Sequence, residues 1–214
     1  SNLPSANATV CPYASPEPAD GTFAADSKVY KMRIKGTIYI TATSMTDGSF
    51  NTNSTTAPTT ADGYWIIAGD VATGYRFYNV AAGPTKVLGV VGSEGAARTA
   101  LYDVDAVPAG VRTRFDYKAS QYRSGGSTFF IHGTDNNALN VRAPFLALWN
   151  SGSCFNDDGS CILLTSVKYD LTSVRPATVR PFPFAYTLDG RRAAADTLPA
   201  RTLFIEGGKK TLKK

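Results

Sequence analysis

Apolar side chains fall at every second position in short runs along this chain, and each run ends in a cluster of Gly, Asn, Asp or Ser. In "VYKMRIKGTIYITATS", from Val29, Tyr30, Met32 and Ile34 alternate with charged residues. A period of two places alternate side chains on opposite faces of a strand, so the run predicts a half-buried β-strand. Gly36 then permits a hairpin turn into a second strand, "IYITAT" at 38.

The pattern recurs. Aromatic-rich strands open at "KVYKMRI" (28), "GYRFYNV" (74) and "STFFIHG" (127), spacings of 46 and 53 residues. Each is followed by a second short strand, "IYITAT", "KVLGVV" or "NALNVR", and by a third after a polar loop. The segments close on "GYWIIAG", "RTRFDYK" and "SCILLTS", in which Trp65, Phe115 and Ile162 occupy comparable places. Three pseudo-repeats of four short strands describe an all-β chain with the β-trefoil arrangement. Composition agrees: Tyr and Phe number 11 each against 2 Met, and Gly (19) and Pro (12) punctuate the runs, which favours strands over helices.

The repeats predict a trefoil over residues 27–170, with flanks of different character. Residues 1–26 carry Pro4, Pro12, Pro16 and Pro18 among Ala, Ser and Asn, and read as an extended leader or linker open to proteases. Residues 171–184, "LTSVRPATVRPFPF", contain X-Pro steps that favour extended chain and read as a Pro-rich linker. Residues 185–214 form a further segment in which Gly190, Gly207 and Gly208 sit at natural turn positions.

With "GYW" at 63 standing where a Gln-x-Trp signature would fall, residues 28–170 resemble the ricin-type, lectin-like β-trefoil attached to exported proteins of Bacteroidetes bacteria. Gly63 replaces the Gln, and the signature is weaker still in the other two repeats. The resemblance spans about two-thirds of the chain. The last 30 residues are similar to the C-terminal tails of such proteins: Tyr186, Leu188, Gly190, Arg191, Ile205, Gly208, Lys209 and Lys210 fall in the order of that motif. This second resemblance implies type IX secretion or surface attachment and a small C-terminal β element.

In ricin-type repeats a sugar lies against an aromatic ring while a carboxylate or amide fixes its hydroxyls. Sugar C–H faces are apolar and their perimeters polar, so a ring and a planar amide or carboxylate complement both. Carried onto "ALNVRAPFLALWNSGSCFNDDGSC", the resemblance implies a ligand site in which Asn140 stands at the family's acid, Trp149 at its stacking aromatic, and Asn156 or Asp157 at the closing polar position. Asn in place of Asp removes a charge-assisted bond. The same residues also admit a plain reading, with Trp149 a packing residue at a strand end and Asn-Asp-Asp-Gly an ordinary turn. The corresponding places hold Gly89 with Tyr102 or Asp103 in repeat 2, and Thr41 with no clear aromatic in repeat 1.

Three cysteines leave at least one unpaired. Cys154 and Cys161, close together across a turn-rich loop, suit a disulfide in an oxidising compartment, worth roughly 2–3 kcal/mol by loop-entropy arithmetic. Cys11 lies in the leader and follows no catalytic signature.

Charge and chemistry narrow the function further. The net charge of +5 owes much to Lys209, Lys210, Lys213 and Lys214 rather than to a basic stripe interleaved with aromatics, which argues against nucleic-acid binding. No run is long and apolar enough to span a bilayer, and the start lacks a signal-peptide pattern, as expected of a processed exported chain. His132 is the only histidine, so no His pair can hold zinc, and a lone strand His is expected to be hydrogen-bonded within the fold. Asp157 and Asp158 are too few for calcium and poorly disposed for acid–base work. "GSEGAAR" at 92 lacks a Walker lysine. The sequence thus points to a non-enzymatic exported or cell-surface protein that needs no cofactor and binds a glycan. The alternative is a structural or protein-binding subunit of a surface assembly, with protein partners in place of the sugar.

Overall fold

A computed structural model describes residues 3–46 and 48–173, together with the backbone of strands at 185–187, 192–193, 203–206 and 209–212. The first repeat contains β1 (Val29–Ile34), β2 (Ile38–Tyr39), β3 (Met45–Thr46), β4 (Ser49–Phe50) and β5 (Tyr64–Asp70). The second contains β6 (Gly74–Asn79), β7 (Lys86–Val91), β8 (Arg98–Asp103) and β9 (Phe115–Ala119), and the third β10 (Ser127–Ile131), β11 (Asn137–Arg142), β12 (Phe145–Asn150) and β13 (Ile162–Val167).

The first and last strands of each repeat form a ring: β1 pairs β5, β5 pairs β6, β6 pairs β9, β9 pairs β10, β10 pairs β13, and β13 returns to β1. All these pairings are antiparallel. The middle strands make hairpins, β7 with β8 and β11 with β12, while the first repeat substitutes the short β3–β4 hairpin. A six-stranded closed barrel with one hairpin per repeat is a β-trefoil, and closure leaves no barrel edge open to pairing.

Inside the barrel lie Met32, Trp65, Phe77, Phe115, Phe129 and Ile162, all essentially inaccessible to solvent. Phe77 meets Phe115 and Phe129 edge-on at ring separations of 5.4 and 4.7 Å. Trp65, Phe115 and Ile162 are therefore equivalent core residues of the three closing strands, as the repeat pattern predicts. Leu88 and Leu139 on β7 and β11, and Ile40 directly after β2, are likewise buried. The β1–β2 turn places Lys35 and Gly36 at φ of 52° and 69°, which explains the glycine there.

The N-terminal segment departs from the expectation of a leader. Residues 3–26 pack on the barrel: Ser15 bridges Ala68 of β5 in parallel, the Thr9 N–H donates to the Tyr117 carbonyl at 2.8 Å, and the Ser5 N–H donates to Asp116 Oδ2. Cys11 is buried and its N–H donates to the Tyr75 hydroxyl, while Phe23 meets the Tyr78 ring edge-on. The prolines allow an extended path, and Cys11, Tyr13, Ala14 and Phe23 supply the apolar contacts that fix it. Proline content predicts chain stiffness and says nothing about whether the barrel offers a complementary surface.

Residues 1–176 form one compact unit and 177–214 another. The second contains an antiparallel sheet of β14 (Ala185–Thr187), β15 (Arg192–Ala193), β16 (Leu203–Glu206) and β17 (Lys209–Leu212), in the order β15–β14–β16–β17. Tyr186 faces Ile205 across the sheet, and Ile205 faces Lys210. The expected small C-terminal β element is thus present. The expected linker beyond Ser173, and the turn positions Gly190, Gly207 and Gly208, lie outside the described residues.

Candidate functional site in the third repeat

The β11–β12 hairpin sorts its side chains by register. Ala138 faces Trp149, Asn140 faces Ala147 and Arg142 faces Phe145, so these share one side, while Leu139, Leu146 and Leu148 point to the barrel core. With Leu139, Leu146 and Leu148 committed to the core, Asn140, Arg142 and Trp149 are left on the other side.

Beside this hairpin lies a concavity of about 350 Å³ lined by Lys35, Asn140, Val141, Arg142, Trp149, Asp157, Asp158 and Gly159. Three of the four residues expected at the site, Asn140, Trp149 and Asp157, therefore meet there. Asn156 does not: it ends the 3-10 turn Cys154–Asn156 and is exposed away from the lining.

Asn140 is 5% exposed, and its Nδ2 donates to Asp157 Oδ2 and to Ser160 Oγ, each at 2.8 Å. Both amide protons are consumed inside the protein. The amide thus fixes the Asp157 carboxylate, and its Oδ1 is the atom left to accept. Asp158 contributes a buried Oδ1 that has no donor among the described residues. Gly159 makes the approach possible, since a Cβ there would lie 2.9 Å from both Asn140 Nδ2 and Asp157 Oδ2. Trp149 is half-buried, packed on the cluster of Phe130, Ala138, Cys154 and Phe155, so the packing role and the rim position hold together. Lys35 and Arg142 are lining residues of the same concavity as the two aspartates.

Lys35, Ser160 and Gly159 were not among the expected site residues. Lys35 arrives from the β1–β2 turn, more than a hundred residues away, and no local signal in the sequence marks it. Ser160 and Gly159 lie beside Asp157, but only the 3-10 turn Asp158–Ser160 folds them back toward Asn140.

The expected Cys154–Cys161 disulfide is not formed; both residues are free, buried thiols, as is Cys11. Cys154 belongs to the Phe130–Phe155 cluster, whereas Cys161 Sγ lies over Gly126, 2.5 Å from where a Cβ would stand. Two successive 3-10 turns between them send the sulfurs to different neighbours. Burial pushes the Cys154 thiol, and likewise Cys11, up to about 11.

The corresponding positions of the other two repeats are filled differently. In register, Gly89 and Tyr102 of β7 and β8 match Asn140 and Trp149, because Gly89 faces Ala100 and Val87 faces Tyr102. A Cβ on Gly89 would lie 2.5 Å from the Tyr102 ring and 2.7 Å from Val111 Cγ1, so the ring has settled onto the glycine and filled the space. In repeat 1, Thr41 is buried and its Oγ1 accepts from the Ser44 N–H.

No protein-family model matches this chain, and no curated protein matches it. Among solved structures it is similar to the BEL β-trefoil in an apo crystal form, at 15% identity and a TM-score of 0.49, covering 72% of this chain and all of the other. A ricin B-like lectin of Macrolepiota procera, solved in complex with lactose, gives 12% identity and a TM-score of 0.43 over 70% of this chain and 94% of its own. The trefoil itself is established by the closed strand pairing described above.

Proposed function

We propose that this chain is a non-catalytic carbohydrate-binding protein, exported to the surface or surroundings of a Bacteroidetes-like bacterium, with its sugar site in the third repeat. The observation that carries this reading is the meeting of Trp149, Asn140 and Asp157 in one polar concavity, where an immobilised carboxylate stands beside an indole ring. Trp149 stacks on the apolar face of a sugar ring, Asp157 accepts from its hydroxyls, and Asn140 orients Asp157 and offers its own Oδ1. The motif order of the tail, from Tyr186 to Lys210, supports export by a type IX route or surface attachment. A single shallow site of this kind binds in the millimolar range, about 4 kcal/mol, and useful avidity requires several copies.

The deciding experiment is a glycan-array screen of the protein beside Trp149→Ala, with circular dichroism to show that the variant folds. Binding by the parent that disappears in the folded variant is expected. Binding that survives in Trp149→Ala, or no binding by either protein, would remove the third-repeat site and move the search to protein partners of a surface assembly.

A further inference from the structure

A second concavity, larger than the first, opens where the β5–β6 turn, the segment entering β9 and the end of β10 converge. It measures about 620 Å³ and its wall includes Ala72, Thr73, Arg112, Arg114, His132 and Thr134. Two arginines and the histidine are among its lining residues, and no Asp or Glu is.

The charges on that wall are not equally compensated. Arg114 Nη1 donates to Glu17 Oε1 at 3.0 Å and to the Gly74 carbonyl, so its charge is answered. His132 Nδ1 is held at 2.7 Å from Asp116 Oδ1, and Asp116 is wholly buried, its Oδ2 accepting from the Ser5 and Gly133 N–H groups. This bears out the expectation that His132 is hydrogen-bonded within the fold, and it fixes the ring at the cavity wall. Arg112 differs. Nη2 donates to the neutral Gly92 carbonyl, Arg112 has no ion pair among the described residues, and burial holds its pKa below the usual arginine range. A partly desolvated cation on the wall of a concavity that has no Asp or Glu in its lining is a site that an anion completes.

The remaining polar atoms select among anions. Thr73 Oγ1 donates to Asp70 Oδ1 at 3.1 Å and Thr134 Oγ1 donates to the Ile131 carbonyl at 2.7 Å, so each hydroxyl oxygen keeps lone pairs for a ligand's own O–H groups. Ala72 and Ile131 add apolar surface. We propose that this cleft is a second binding site, independent of the Trp149 concavity, and that it takes a hydroxylated carboxylic acid of the uronic-acid type. The carboxylate pairs with Arg112 and the ligand's hydroxyls donate to Thr73 and Thr134. The volume lies within the range of small-molecule sites and admits one or two sugar units.

The test is an amide chemical-shift titration of the full 214-residue chain with sodium galacturonate and its dimer, beside galactose and sodium sulfate. Shifts are expected at residues 72–73, 112–114 and 131–134 with the uronates. Arg112→Gln and Ala72→Glu, the second adding a carboxylate at an exposed turn without removing any bond, are each expected to weaken binding at least tenfold. Trp149→Ala is expected to keep the shifts at residues 72–73, 112–114 and 131–134 while removing any at the Trp149 concavity, so failure of the third-repeat site and failure of this one are separately visible. Equal perturbation by sulfate or by galactose would overturn the assignment of ligand class. Uronate shifts confined to the Trp149 surface, uronate binding undiminished in both cleft variants, or no shift with any uronate would overturn the site.

Discussion

At Gly159 a methyl group would press on the Asn140 amide and the Asp157 carboxylate together. Asn140 is buried and both its amide protons are bonded, so Gly159→Ala is expected to cost about 1–2 kcal/mol by straining those bonds, and to displace the acceptor geometry on which sugar binding depends. A cooperative thermal melt a few degrees below that of the parent, with glycan affinity reduced several-fold, is the expected pair of results; unchanged affinity would place binding elsewhere. The thiols make a second residue-scale prediction. With Cys154 and Cys161 unbonded, reductant should leave the melting temperature at pH 7 unchanged. Cys11 and Cys154 have folded-state values raised from 9.0 to about 11, so the native state retains protons that the unfolded chain releases across that window. Stability attributed to these groups is complete below pH 9 and is lost as pH rises toward 11. Melts recorded between pH 8 and 11 should therefore decline above pH 9, and less steeply in a Cys11→Ala variant that still folds.

The N-terminal strap and the β11–β12 hairpin are the elements whose roles depend on what they lie against. Phe23 is 8% exposed and packs in the cluster containing Tyr78 and Val80, so Phe23→Ala is expected to destabilise the protein by about 3 kcal/mol, read from denaturant unfolding. Limited proteolysis should spare residues 5–25, whose backbone bonds to Tyr117, Ile67 and Asp116. Rapid cleavage there under native conditions would mean that the strap is not docked in solution. The hairpin shows the converse: Asn140 and Trp149 stood out through the resemblance, and the register that sends Leu139, Leu146 and Leu148 to the core puts both on the other side.

Over the whole molecule, stability rests on closure between chain-distant strands, since β1 and β13 pair over six residues from Val29–Val167 to Ile34–Ile162. A ring missing one strand exposes two edges and the barrel interior. Truncation after residue 176, which removes only the second compact unit, is expected to leave a cooperative unfolding transition within a few degrees of the parent's. Truncation after residue 160, which removes β13, is expected to abolish that transition, as monitored by near-ultraviolet circular dichroism. A folded chain lacking β13 would contradict the closed-barrel account.

The sequence by itself determined the all-β class, the three repeats and their starts at 28, 74 and 127, because alternation and turn residues are local properties written into every strand. It also brought out Asn140, Trp149 and Asp157, which lie within one hairpin and the loop after it. Tertiary structure decided the rest. It docked the N-terminal segment, whose composition records its stiffness but not the barrel surface it covers. It also held Cys154 and Cys161 apart, since spacing limits how far two sulfurs can separate but not which way the intervening turns aim them. Lys35 came to the Trp149 concavity, and Arg112 to the larger cleft, only through barrel closure, which brings distant segments together and leaves no mark on the residues it joins.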